Sequence, residues 1–216
     1  MKELFKILEK EIPLLLNKEN IIMPNLSEKS TRGMGDLLCE ITREKFISLL
    51  TNNYKNSDQK IERKSMGDIV IEDSTCKYLI DVKSKLEGTS FNMPNITSIV
   101  KLSKLYANSK NYFILLLIDY KILNQSLIVN TVNILPIESI SWDCLQIANI
   151  GLGQIQITNA NKIKIDESIS RNEWLLNLCS RSLNFLENLS NKIPKRMEYF
   201  ITKKEEYEKI IKMEEM

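Results

Sequence analysis

The chain contains no histidine. That absence removes Ser–His and Cys–His nucleophilic pairs, histidine metal ligands and the histidine general base. Any catalysis therefore falls to carboxylates, lysine, hydroxyls and a hard metal ion. Cysteine is sparse and scattered: Cys39, Cys76, Cys144 and Cys179 form no CxxC pair. Neither a disulfide framework nor a zinc site is expected, and reduced thiols in a cytoplasmic protein are. Long apolar runs are missing too. YFILLLI, residues 112–118, falls well short of the roughly 20 residues of a membrane span and suits a buried central strand. The opening MKELFKILEKEIPLLL alternates charges and lacks the apolar stretch of a signal peptide. A large charge excess is also lacking, with 30 Lys+Arg against 28 Asp+Glu and a net charge of +2. A polyanionic partner would have to be held by a local patch. Glycine is scarce, and Gly151-Leu-Gly153 lacks the third glycine and the helix of a dinucleotide fingerprint. A β-turn leading into a strand with Gln154 and Gln156 on one face is the better reading there.

What is present indicates one sizeable domain: 216 residues, 43% of them hydrophobic and 27% charged. Residues 2–17 read as a helix broken or restarted at Pro13. A polar loop with Pro24 and SEKSTRGMG follows, then a helix over 36–50 with Asp36 favouring its N-terminus. After a polar loop comes a β-hairpin, then a loop with Gly88 and Pro94. The stripe Ile96, Ile99, Leu102, Tyr106 predicts a helix over 95–107. Strands are expected at 112–118 and around 127–134, and short strands beyond Pro136. The chain turns helical from about 167 to 191 and again after Pro194, ending in a charged tail. The order predicts an α/β fold with a central mixed β-sheet flanked by helices. The core would span about 36–160 and a C-terminal helical region about 167–216.

The hairpin GDIVIEDSTCKYLIDVK, Gly67 to Lys83, carries the chemistry. If it turns at Ser74-Thr75, Asp68 lies opposite Asp81, Val70 opposite Leu79 and Met66 opposite Lys83. Strand side chains alternate faces. Ile69, Ile71, Tyr78, Ile80 and Val82 then form the core side, and Asp68, Asp81 and Lys83 share the other. Two like charges directly opposed on a sheet are destabilising, and such carboxylates need a cation between them or must share a proton. Oxygen ligands of this kind suit Mg²⁺, which takes one or two carboxylates plus waters and phosphate oxygens. Lys83 adds a positive charge for an anionic substrate. The bland reading is a solvated outer face carrying an Asp–Lys pair.

Gly67-Asp68 followed by Asp81-Val82-Lys83 resembles the PD-(D/E)xK nuclease superfamily, and within it type II restriction endonucleases. Glycine stands here for the nominal proline, and the resemblance covers roughly residues 36–118. It implies a restriction-endonuclease-like core in which Asp68, Asp81 and the Val82 carbonyl hold Mg²⁺. Lys83 would orient or help deprotonate the attacking water. Glu40, with Glu44 as the competitor one turn later, would be the acid on the preceding helix that holds a water or a second metal. The implied activity is Mg²⁺-dependent, sequence-specific hydrolysis of double-stranded DNA by a homodimer, with a DNA methyltransferase as a functional companion. A junction-resolvase-like or repair nuclease of the same fold, or a non-catalytic DNA-binding protein, are the alternatives.

Specific cutting also needs groups that reach bases and phosphates. The loop from Lys85 to Asn95 leaves directly from the Asp-x-Lys strand. Asn92 and Asn95 are suited to adenine, and Lys85 to guanine or phosphate. Thr97 and Lys101 are candidate phosphate contacts on the following helix. Arg32, flanked by Gly33 and Gly35, is another candidate.

Overall fold

The computed structural model describes residues 2–19, 21, 31–53, 66–72, 75–89 and 94–214. In chain order the elements are helices α1 (Lys2–Lys18) and α2 (Thr31–Asn53), strands β1 (Ile69–Glu72), β2 (Lys77–Leu86) and β3 (Asn95–Ser98), and helix α3 (Ile99–Leu105). Strands β4 (Asn111–Leu123), β5 (Ser126–Pro136), β6 (Leu145–Ala148) and β7 (Gln154–Ile157) follow, and helix α4 (Arg171–Glu214) ends the chain. The architecture is mixed α/β, as expected.

The central sheet has the order β1-β2-β4-β5. β1 is antiparallel to β2, β2 parallel to β4, and β4 antiparallel to β5. A parallel neighbour requires a crossover, and β3 with α3 supplies it. β3 also joins β7 and β6 in a second, three-stranded antiparallel sheet.

Each face of the central sheet is covered by its own apolar cluster. On one side α1 contributes Leu4, Phe5, Leu8, Ile12 and Leu16, and α2 contributes Leu38, Phe46 and Leu50; these pack on Ile69, Ile80, Val82 and Leu116. On the other side Val70, Leu79, Phe113 and Leu115 pack against Leu102, Ile155, Trp142 and Trp174. The hairpin thus has two buried faces where the sequence predicted one. Covered strands read as near-continuous apolar runs, which is why the charges inside β2 stand out.

Helix α2 begins at Thr31, ahead of the expected Asp36, and β4 runs on to Leu123; three further departures have a packing reason. Pro13 lies inside an unbroken α1. A mid-helix proline costs about 3 kcal/mol, but Ile12 and Leu16 beside it are fully buried. The helix is also tied to β5, where Glu9 accepts from the Ile134 amide at 2.7 Å and Asn17 bonds both backbone groups of Val129. The expected helix over 95–107 begins only at Ile99, because 95–98 pairs with β7 as β3. Finally, α4 runs straight through Pro194 as one helix of 44 residues. Its first turns are anchored where Trp142 and Trp174 stack at 4.7 Å and Arg171 lies over the rings of Tyr106 and Tyr112 at 4.4 and 4.5 Å.

Candidate active site

The site forms where β1 gives out. Ile69 pairs with Ile80 and Val70 with Leu79, the register expected from the sequence. At Asp68 the backbone N–H still donates to the Ile80 carbonyl at 2.8 Å. Beyond it the Asp68 side chain replaces the missing strand: Oδ2 accepts from the Val82 N–H at 2.8 Å. The preceding Gly67 passes so close to β2 that a Cβ there would stand 2.9 Å from the Ile80 carbonyl oxygen. A side chain at this position would collide with backbone, which gives the glycine a steric reason.

Asp81 and Lys83 project from β2. Asp81 sits opposite Leu115 of β4 and is only 6% exposed. Lys83 Nζ lies 3.0 Å from Oδ1 and 2.9 Å from Oδ2 of this carboxylate. The well-angled hydrogen bond goes to Oδ1, leaving the buried Oδ2 without one. Burial pushes the Asp81 carboxyl up to about 7; Lys83 pulls it back, and the negative charge of Asp68 raises it further. A dry carboxylate whose Oδ2 meets the Lys83 ammonium without a well-angled hydrogen bond, beside a second carboxylate, is costly unless cations offset both charges.

Helix α2 closes the open edge. Arg43 Nη2 donates to Asp68 Oδ1 at 2.8 Å, an ion pair about three-quarters buried on each side. The Cys39 thiol donates to the Val82 carbonyl at 3.5 Å. Burial, then the charge of Asp68, pushes that thiol up to about 11, so it is protonated and inert at neutral pH. Glu40 and Glu44 are both exposed on α2, and the residue the helix delivers to Asp68 is Arg43. Among the described residues no group of three or more His, Cys, Asp or Glu side chains is placed to hold a metal. Arg43 flanks the buried stripe Leu38, Thr42, Phe46, Leu50. Helical spacing therefore places it at the border of the packed face, a signal available from the sequence alone.

The two carboxylates suit a hard cation. Asp68 and Asp81 together with the Val82 carbonyl form an all-oxygen donor set, and Mg²⁺ needs no more than one or two carboxylates when substrate phosphate and water complete its shell. The hydrogen-bond-free Oδ2 of Asp81 is the observation that favours the fit. Asp68 would have to share its carboxylate with Arg43.

Beside these groups runs a cleft of about 280 Å³, lined by Lys83, Ser84, Lys85, Asp119, Asn133 and Asn161 among others. Lys85 lines it while paired to Asp119 at 3.4 Å. Asn95 is exposed on β3, and its Oδ1 accepts from Gln156 Nε2 at 3.0 Å. Gln156 in turn accepts from Gln146 Nε2 at 2.6 Å, making a row of amides across the second sheet. Lys101 is exposed on α3, where the Ser98 hydroxyl caps the helix by accepting from its N–H at 3.1 Å. Thr97 corrects its expectation: it lies in β3, not on a wet helical face, and is 4% exposed, out of reach of a phosphate. Arg32 belongs to the first turn of α2, but its side chain, like all of Asn92, lies outside the described residues.

No protein-family model matches this chain, and no curated protein matches it. Among solved structures it is similar to the NlaIV restriction endonuclease, at 12% identity and a TM-score of 0.39. The match covers 66% of this chain and spans 58% of that one. A likeness at this level transfers no residue role. No helix among the described residues is long and apolar enough to cross a membrane.

Proposed function

We propose that this chain is a Mg²⁺-dependent endonuclease that cuts double-stranded DNA at specific sequences, in the manner of a type II restriction enzyme, and acts as a homodimer. The observation that carries the reading is Asp81: a buried carboxylate with one oxygen free of hydrogen bonds, gripped by Lys83 and crowded by Asp68 at an open strand edge. Asp68 beside it is matched by Arg43, so what sets the site apart from an ordinary surface pair is the burial of Asp81, a costly place for a charge without a use.

Asp68, Asp81 and the Val82 carbonyl would hold Mg²⁺, which when bound lowers the pKa of a water and stabilises a leaving 3′ oxygen. Lys83 orients the attacking water and offsets negative charge as the phosphate becomes five-coordinate. The buried setting of Asp81 raises the value of each such interaction by excluding water. Arg43 fixes the Asp68 carboxylate at the strand edge and supplies a cation beside the scissile phosphate. The cleft past Lys83 and Lys85 is the path for the substrate backbone, and Asn95 at the end of the amide row is the candidate base reader. This scheme uses no histidine and no covalent intermediate. Glu40 has no part in it.

Digestion of plasmid DNA of known sequence, with Mg²⁺ and with EDTA, tests the proposal. Discrete fragments are expected with Mg²⁺ alone. Asp81→Ala and Lys83→Ala are expected to lower cleavage by about 10³-fold while DNA binding survives in a gel-shift assay. Undiminished cutting by both variants would sink the catalytic assignment. Cleavage confined to branched DNA would move the chain to the resolvase-like class.

A further inference from the structure

Helix α4 has 44 residues, about 66 Å of helix at 1.5 Å per residue. Its first turns pack on the domain through the buried Trp174 and Leu178. From Ser190 to Met213 every residue except Lys203 is exposed, so this half of the helix projects from the described part of the domain. A stretch without domain contacts should be polar on all sides. Instead Phe200 is 68% exposed, Tyr207 63%, Met197 59% and Ile211 53%.

These residues are not scattered. Ile193, Met197, Phe200, Lys204, Tyr207 and Ile211 follow alternating four- and three-residue steps. That is the 3.5-residue repeat of a coiled-coil seam, with Met197, Lys204 and Ile211 at one core position (a) and Ile193, Phe200 and Tyr207 at the other (d). Upstream the next core position is the polar Ser190, and beyond it the phase continues through Leu186, Leu183, Cys179 and Leu176, all exposed. Pro194 falls on the flank of the seam and does not shift it. Helices in proteins draw most of their stability from packing of an apolar face, and here that face has no occupant among the described residues.

We infer that this seam is a dimer interface, and that its occupant is the same helix of a second copy, parallel and in register. Two features favour a self-partner. In the parallel alignment Lys203, at flanking position g, meets Glu208 at position e of the other chain, and symmetry forms the pair twice; an antiparallel alignment would instead set the basic g positions Arg196 and Lys203 against one another. The buried area also suffices: seam side chains of 60–120 Å² each give on the order of 600 Å² per chain, near the ~800 Å² per partner of a stable interface. Lys204 is then the charged core residue, with Ser190 a second polar one, and polar residues at such positions fix register at a cost in stability. Its side chain points to Glu208 at 3.7 Å within the single chain. A two-fold axis along α4 would pair two copies of the domain, the symmetry that a palindromic site requires.

The parallel register brings the two exposed Cys179 thiols face to face at a d position, within the reach of a disulfide. Sedimentation equilibrium of the full chain is therefore expected to give twice the chain mass. Copper-catalysed air oxidation should yield a covalent dimer that Cys179→Ser loses while keeping the double mass. The double variant Met197→Glu/Phe200→Glu should sediment as a monomer; both positions lie beyond the domain, so the near-ultraviolet signal of the Trp142–Trp174 stack should be unchanged. A monomeric wild type, a dimer indifferent to the double variant, or a dimer without the Cys179 cross-link would each overturn the inference. None of these readouts involves cleavage, so failure here is distinguishable from failure of the nuclease assignment.

Discussion

Strand β2 and the distal half of α4 violate the same rule in opposite senses. β2 holds a carboxylate where there is almost no water, with Asp81 6% exposed. Distal α4 holds aromatic and aliphatic groups that are more than half exposed, with Phe200 at 68% and Tyr207 at 63%. The two apolar clusters obey local physics: Leu8, Ile80 and Leu116 are sealed in the first, and Trp142 and Trp174 donate their indole N–H groups to the carbonyls of Trp174 and Ile140 in the second. Sites where a sequence departs from local consistency are where function is expected. The proposals above give each departure its own partner: a cation for β2 and an apolar helix for α4.

The sharpest way to break the comparison is within α4 itself. Leu178 is 2% exposed and Phe200 68%. Leu178→Ala should cost about 2–5 kcal/mol of domain stability through the transfer and cavity terms. Phe200→Ala, in protein dilute enough to be monomeric, should stay within about 0.5 kcal/mol of wild type. Urea denaturation followed by tryptophan fluorescence separates the two. An equal loss in both variants would mean that the distal half packs on its own domain.

A second, smaller effect probes the charge in β2. The Asp81 carboxyl holds its proton in the folded state up to about 7, whereas an unfolded aspartate releases it near 3.9. Between those values the folded state binds more protons, so metal-free stability falls as pH rises, and above about 7 the whole penalty is present. Asp81→Asn should therefore stabilise the metal-free protein at pH 8 by on the order of 1–3 kcal/mol, the loss of the Lys83 partner offsetting part of the gain. The gain should vanish near pH 4. Added Mg²⁺ should raise the wild-type unfolding midpoint and leave the Asn variant where it was. A wild type whose stability is flat from pH 4 to 8 would contradict the origin assigned to the raised value.

Much of the hairpin was legible in the sequence, because register and side-chain alternation follow from a turn and a period of two. Val70 opposite Leu79 and the shared face of Asp81 and Lys83 needed nothing more. The second apolar cover was not legible: the residues that roof Val70 and Leu79 come from 96–178, and no local pattern announces which distant segments will meet. Thr97 was misread for a related reason. A helical stripe through Ile96, Ile99 and Leu102 is real, but pairing with β7 claims the first four residues for a sheet. The partner that α2 offers to Asp68 turned on a rotation of less than a turn, which exchanges Glu40 for Arg43. At α4 the heptad phase was written in the sequence, yet it gains meaning only once the structure shows which half has left the domain.

Arg43 gives the finest test, since it already occupies the position beside Asp68 that a metal would share. Its guanidinium lies 2.8 Å from Oδ1, and its Nε is buried without a hydrogen-bond partner. Arg43→Met keeps the length and apolar stem of the side chain while removing the charge. If the arginine competes with the cation for Asp68, divalent affinity in the absence of DNA should rise about three- to tenfold, corresponding to roughly 1 kcal/mol of relieved ion pairing. Titration calorimetry with Mg²⁺ or Mn²⁺ reads this directly. Cleavage should nonetheless fall, because the variant loses a cation beside the phosphate and leaves Asp68 anchored only by the Val82 N–H. Tighter metal binding with slower cutting would separate the two demands placed on one carboxylate. Weaker metal binding would show instead that Arg43 holds Asp68 in the orientation the metal needs, and that at this edge of β2 ordering the acid outweighs neutralising it.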